Sequence, residues 1–222
     1  MSRTLIIFDI DGTIVKGQSQ RLFLQYLMSI GLIGRVFYWK LMAWFILYKM
    51  GIVRDPQKPM EYAFSFLKGK SVAEVAAITH DFFEKVLKDS FYPEALEIIA
   101  GHRRAEGTVV LVSNAADIIV REIATYLDVS EYMCTVLETE SGFYSGKVHG
   151  SMYGNQKAEA VKEFASKNNF DLKDAWAYGD HVSDKYILSE VGNPVAVNPS
   201  PKLASLARTN NWKILAFKDP AK

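Results

Sequence analysis

Two aspartates, Asp9 and Asp11, stand on either side of one isoleucine where the apolar run Leu5-Ile6-Ile7-Phe8 stops, and Gly12 and Thr13 follow them. Four consecutive large apolar residues read as a strand buried on both faces. The pair therefore sits at the strand's carboxyl end, where open α/β sheets form their ligand crevice. Asp11-Gly12 alone is an ordinary turn dipeptide. Two carboxylates this close repel each other unless a shared proton or a cation relieves them, and Mg²⁺ is the simplest relief.

Other polar residues recur where apolar runs stop. Residues 107–112 lead into Ser113 and Asn114, and residues 175–178 lead into Gly179 and Asp180, with Asp184 one helical turn further on. Lys157 falls near the start of the helix between those runs. Carboxylates to hold a cation, a hydroxyl and an ammonium to hold a phosphoryl group, and a carboxylate free to attack form a set suited to phosphoryl transfer. Each has a plainer reading when taken singly. Ser113 serves equally as a helix cap, Lys157 as a solvated first-turn residue, and Asp180 with Asp184 as turn former and helix N-terminal acid.

The elements that must position this set alternate as an α/β fold does. Strands are expected at 5–8, 107–112, 175–178 and 194–198, with a last edge strand within 212–217. Helices are expected from Glu94 to Arg104 behind Pro93, from Asp117 to Leu127, and from Asn155 to Lys167. Residues 135–150, with Ser141-Gly142 and Ser145-Gly146 as turn signals, suggest a surface hairpin. Residues 18–87 show no clear strand, and Ser71-Val72-Ala73-Glu74 has the form of a capping box. The reading is a Rossmann-like, mostly parallel sheet sandwiched by helices. Residues 1–17 and 88–222 make this core, and an inserted helical cap occupies 18–87.

Asp9-Ile10-Asp11-Gly12-Thr13 resembles the first signature of the haloacid dehalogenase superfamily, and Leu111-Val112-Ser113-Asn114 resembles the second. Lys157 in Gly154-Asn155-Gln156-Lys157 is similar to the third, and Gly179-Asp180-His181-Val182-Ser183-Asp184 to the fourth. The insert between the first two, and residues 191–199, resemble the phosphoserine phosphatase branch. The resemblance implies a Mg²⁺-dependent phosphatase in which Asp9 attacks phosphorus and Asp11 protonates the leaving oxygen and then deprotonates water. It also implies a loop oriented by Thr13, and a phosphoryl group held by Ser113, Asn114 and Lys157. Mg²⁺ would be held by Asp9, Asp11, the Ile10 carbonyl, Asp180 and Asp184. That branch carries a glutamate for the substrate's ammonium where this chain has Gln18. An amide binds a buried ammonium far less well than a carboxylate does, so free phosphoserine is a doubtful substrate. Lys185 is a second departure, at a place where an apolar residue is usual.

The totals exclude other classes. The chain has 222 residues, 49% of them hydrophobic, which suffices for a substantial core. With 26 Lys+Arg against 25 Asp+Glu, no global field steers it to nucleic acid or to anionic lipid, and any charge logic must be local. The single cysteine, Cys134, excludes an internal disulfide and a multi-cysteine zinc site, which fits a reducing, cytoplasmic setting. The apolar run before Asp9 is too brief for a signal peptide.

Residues 32–50 are aromatic-rich and almost long enough to span a membrane, but Arg35, Lys40 and Lys49 interrupt them. A helix packed within the cap is the favoured reading, with Trp39 and Trp44 in its core; a helix lying on a membrane surface is the alternative. Arg21, Arg35 and Arg54 are candidates for an anionic substituent of the substrate. The expected partner is a small phosphorylated metabolite. The competing readings are a non-hydrolytic phospho-acceptor module and a membrane-associated binding protein with a vestigial site.

Overall fold

The computed structural model describes residues 4–49, 57–150, 152 and 154–220. Strand β1, Leu5–Phe8, has all four side chains buried. Ile6 and Phe8 enter one apolar cluster while Leu5 and Ile7 enter a second on the opposite face of the sheet, as the two-residue period of a strand requires. A one-residue slip would exchange the two sets. The same packing therefore fixes where Asp9 emerges.

Between β1 and the next strand come α1 (Ser19–Ser29), α2 (Arg35–Lys49), α3 (Gln57–Phe64), α4 (Val72–Phe82) and α5 (Pro93–Arg104). Then follow β2 (Thr108–Ala116), α6 (Asp117–Leu127), β3 (Glu131–Glu140), β4 (Phe143–His149) and α7 (Asn155–Lys167). The chain ends with β5 (Trp176–Gly179), α8 (Lys185–Leu188), β6 (Asn193–Val197), α9 (Pro201–Thr209) and β7 (Lys213–Leu215). The sheet order is β4-β3-β2-β1-β5-β6-β7, parallel throughout except for β4 against β3. β2 lies on one side of β1 and β5 on the other, so the strand order reverses at β1. A crevice opens beyond the strand ends at such a switch point.

The α/β expectation is met, and local chemistry accounts for the boundaries. Pro93 opens α5 at a position where its missing N–H costs nothing. Ser71 caps α4 by accepting the Glu74 N–H at 3.1 Å. Among the described residues, the sheet takes no strand from positions 19–90. Phe23, Leu27, Val75 and Phe82 of these helices share one apolar cluster with Phe8 and Leu111 of the sheet.

The expected surface hairpin is longer and belongs to the sheet. β3 starts at Glu131, pairs parallel to β2 at Tyr132↔Leu111, and then pairs antiparallel with β4. Its turn is Ser141-Gly142, with both residues at positive φ (50° and 84°), which fits the right-handed twist of a tight hairpin. Ser145-Gly146 lies inside β4 instead of turning the chain. The hairpin also binds the helices before it, since Val72 N–H donates to Gly142 O at 3.0 Å and Tyr144 N–H to Lys70 O at 3.0 Å.

α2 departs from expectation on one face. Tyr38 and Leu41 are buried, and Phe37 and Trp44 lie against the Tyr62 ring at 4.9 and 5.6 Å. Trp39, expected in the core, is 67% exposed. The aromatic run is apolar on every side of the helix, while α1 and α3 cover only one of them. No described helix is long and apolar enough to cross a membrane.

Candidate active site

β1 delivers Asp9 to the crevice, where its N–H donates to Tyr178 O of β5 at 2.9 Å. The chain then folds into a tight loop around the Ile10 carbonyl, which accepts the N–H groups of Thr13, Ile14 and Val15 at 3.2, 2.9 and 3.0 Å. The Ile10 oxygen, expected among the cation ligands, thus faces the N–H groups of its own loop. Gly12 sits at φ +85°, and a Cβ there would overlap the Asp180 carboxylate. Glycine at this place lets the two strand ends approach.

Asp9, Asp180 and Asp184 offer carboxylate oxygens that lie within 4.8 Å of one another. Asp184 is held by a short turn in which His181 N–H donates to its Oδ2 at 3.0 Å and the His181 ring accepts from Ser183 N–H. His181 itself is exposed, and orienting Asp184 is the role its geometry gives it. Lys157, buried in the first turn of α7, places Nζ 2.5 Å from Asp9 Oδ1 and 3.0 Å from Asp184 Oδ1.

Burial raises Asp9 to about 7, against the attraction of Lys157 and with the repulsion of Asp184. Asp180 is pushed up to about 8 by burial and by the Asp9 and Asp184 charges. Burial opposes the Lys157 ammonium, but Asp184 and Asp9 outweigh it and hold its pKa well above the ordinary value. One ammonium thus faces three carboxylates. The donors are hard oxygens with no cysteine or histidine among them, and their repulsion is what a divalent cation would relieve. The residues present fit Mg²⁺.

Asp11 lies outside that trio. Its Oδ1 accepts the Ser19 N–H at 2.8 Å, and burial raises its pKa. That contact was not visible beforehand, although the first N–H groups of a helix are always free donors, and Ser19 opens the helix that follows the motif. Thr13 is fully buried, with Oγ1 lacking a partner. Ser113 lies within β2 and accepts the Ala115 N–H at 3.1 Å, while the residue capping α6 is Ala116. The helix-cap reading of Ser113 is therefore set aside. Asn114 is tied elsewhere: its Oδ1 accepts from the Thr135 hydroxyl at 3.3 Å, and its backbone oxygen from Gln20 Nε2 at 3.1 Å. Gln18 precedes α1 and is exposed, as are Arg21 and Arg35. Arg54 lies outside the described residues.

Fold and site together define an α/β enzyme built on a carboxylate cluster at the switch point of its sheet. The family model for haloacid dehalogenase-like hydrolases matches residues 6–189. A probable phosphatase of Mycobacterium tuberculosis is 31% identical over 221 residues, covering 99% of this chain and 77% of that protein. A phosphoserine phosphatase of the same organism is 30% identical over 95% of this chain and 70% of its own length. The crystal structure of a protein of unknown function from Bordetella pertussis superposes with a TM-score of 0.88 at 26% identity, covering 97% of this chain and 99% of that one. The chain belongs to the haloacid dehalogenase-like hydrolase family, in its phosphatase branch.

Proposed function

We propose that this hydrolase is a Mg²⁺-dependent phosphomonoesterase that acts on a small phosphorylated metabolite through an aspartyl-phosphate on Asp9. The observation that carries the reading is the buried Lys157 Nζ between Asp9 and Asp184, at 2.5 and 3.0 Å. Structural ion pairs are seldom surrounded by surplus carboxylates, whereas a phosphoryl site needs both signs of charge.

Asp9, Asp180 and Asp184 would hold the cation, which when bound neutralises phosphoryl charge. Asp9 attacks phosphorus, and the ester oxygen leaves with a proton from Asp11. Water then attacks the aspartyl-phosphate and gives its proton to Asp11, which releases phosphate and regenerates the Asp9 carboxylate. Asp11 must hold a proton near neutral pH for this, and its burial works in that direction. The Ser19 N–H keeps its carboxylate oriented between the two steps. Ser113 and Lys157 bind phosphoryl oxygens, Asn114 shapes the strand end through its backbone, and Thr13 steadies the loop. Residues 18–87 act as a cap that excludes water and meets the leaving group.

Gln18 at the entry of the cap lacks the charge that would hold an amino acid's ammonium, so the preferred substrate is one other than free phosphoserine. Purified protein should hydrolyse p-nitrophenyl phosphate with Mg²⁺ and lose that activity in EDTA. Asp9→Asn should lower kcat by roughly 10⁴ or more with the fold intact. Full activity in Asp9→Asn would remove the nucleophile and this reading with it.

A further inference from the structure

The outer face of α2 is apolar, and nothing among the described residues covers it. Val36 is 83% exposed, Trp39 67% and Ile46 57%, with Ala43 exposed between them. Spacings of three, four and three residues align these side chains along one side of the helix. Leu32, just before the helix, is exposed as well. Scattered exposed apolar residues are normal on a protein surface, but a continuous row is not.

The charges that α2 itself carries have one sign. Arg35 and Lys40 are exposed and flank it on its two sides at about 3.6 residues per turn. α2 carries no acidic residue, and between Gly12 and Arg54 the sequence holds six basic residues and no Asp or Glu. The whole chain has a net charge of only +1, so the rest carries −5. Of these six, Arg35 and Lys40 stand beside the apolar row, Lys16 pairs with Asp219, and Arg54 lies outside the described residues.

These observations select among occupants. Two copies pairing through α2 would gather Arg35 and Lys40 of both into one interface, with no acid on either helix to answer them. A nucleic acid would use the charges but gain nothing from Val36 and Ile46. An anionic bilayer uses both, and tryptophan suits its headgroup boundary. We infer that α2 lies in the plane of an anionic membrane surface, with Val36, Trp39 and Ile46 entering the acyl boundary and Arg35 and Lys40 meeting lipid phosphates. The helix does not span, because its length and charge forbid it.

Vesicle flotation of the full chain tests this, with equal parts phosphatidylglycerol and phosphatidylcholine in one arm and pure phosphatidylcholine in the other. The protein should float with the anionic vesicles, lose that binding in high salt, and stay at the bottom with the neutral ones. Val36→Glu with Trp39→Glu should weaken flotation about tenfold or more. Arg35→Gln with Lys40→Gln should weaken it roughly tenfold while keeping the apolar row. Both variants should melt as the unaltered protein does, since none of these side chains is buried. Wild-type protein that stays at the bottom of the anionic gradient would overturn the inference. So would flotation unchanged by the glutamates, equal flotation with neutral vesicles, or a dimer in light scattering that the glutamates dissolve.

Discussion

At the carboxyl ends of β1 and β5 the molecule buries Asp9, Lys157 and Asp184, while on the outer face of α2 it leaves Val36, Trp39 and Ile46 in solvent. The two regions depart from the usual partition of residue types in opposite directions, and each has a cost. At the strand ends the cost is electrostatic and partly met from within, because Lys157 answers two of the three carboxylates. On α2 the cost is exposed apolar area, and no element among the described residues covers it. The first region should therefore respond to charge, pH and cations. The second should respond to side-chain size and lipid.

Removing the internal answer at the strand ends should give the largest effect. Lys157→Met leaves Asp9 and Asp184 buried without their cation, and breaking a buried pair in this way costs about 3–5 kcal/mol. Urea unfolding of the metal-free protein should show that loss, and hydrolysis should fall by roughly 10³ or more. Excess Mg²⁺ should recover part of the stability and little of the activity. A variant that unfolds at the wild-type midpoint and keeps half its rate would show that Lys157 is only a space-filling residue.

The pH response comes next in size. A carboxyl whose folded pKa lies above its unfolded value holds more protons folded than unfolded in the interval between the two. Its contribution is fully present below the unfolded pKa and is lost as pH rises through the folded one. For Asp9 and Asp180 those folded values are about 7 and about 8. The melting temperature of the metal-free protein should thus fall between pH 5 and pH 9, by on the order of 5 °C. Saturating Mg²⁺ should flatten that slope, since the cation favours the ionised carboxylates. Lys157 adds no slope in this interval, because its pKa is raised from an already alkaline value. A melting temperature that rises across the window without metal would contradict the burial of these carboxylates.

The sheet was legible because its central strands are continuous apolar runs: Leu5–Phe8, most of β2, and the stretch before Gly179 each end where a polar residue begins. The start of β3 at Glu131 was not, since a half-exposed strand that opens on a charged residue resembles a loop. Within the site, residue type revealed Asp9, Asp180, Asp184 and Lys157, whose chemistry resides in side chains. It could show neither the Ser19 N–H on Asp11 nor the turn of the Ile10 carbonyl into its own loop, since these contributions are an N–H and a carbonyl. Every residue has these groups, and only the loop's dihedral angles decide where they point. Trp39 was misread for a related reason: periodicity can identify a helix, but the side that is covered depends on which neighbours reach it.

The smallest expected effect lies on the outer face of α2, with its inner face as the reference. Leu41 is buried on the inner face, and Leu41→Ala should cost about 2–5 kcal/mol through lost contacts and the cavity left behind. Val36 has almost no protein contacts to lose, so Val36→Ser should stay within about 0.5 kcal/mol of the unaltered protein. Parallel urea titrations of the two variants, in the absence of lipid, measure the contrast directly. If Val36→Ser destabilised the isolated chain as much as Leu41→Ala, the outer face would be covered by the protein itself in solution, and its exposure could no longer be contrasted with the buried charges at the strand ends.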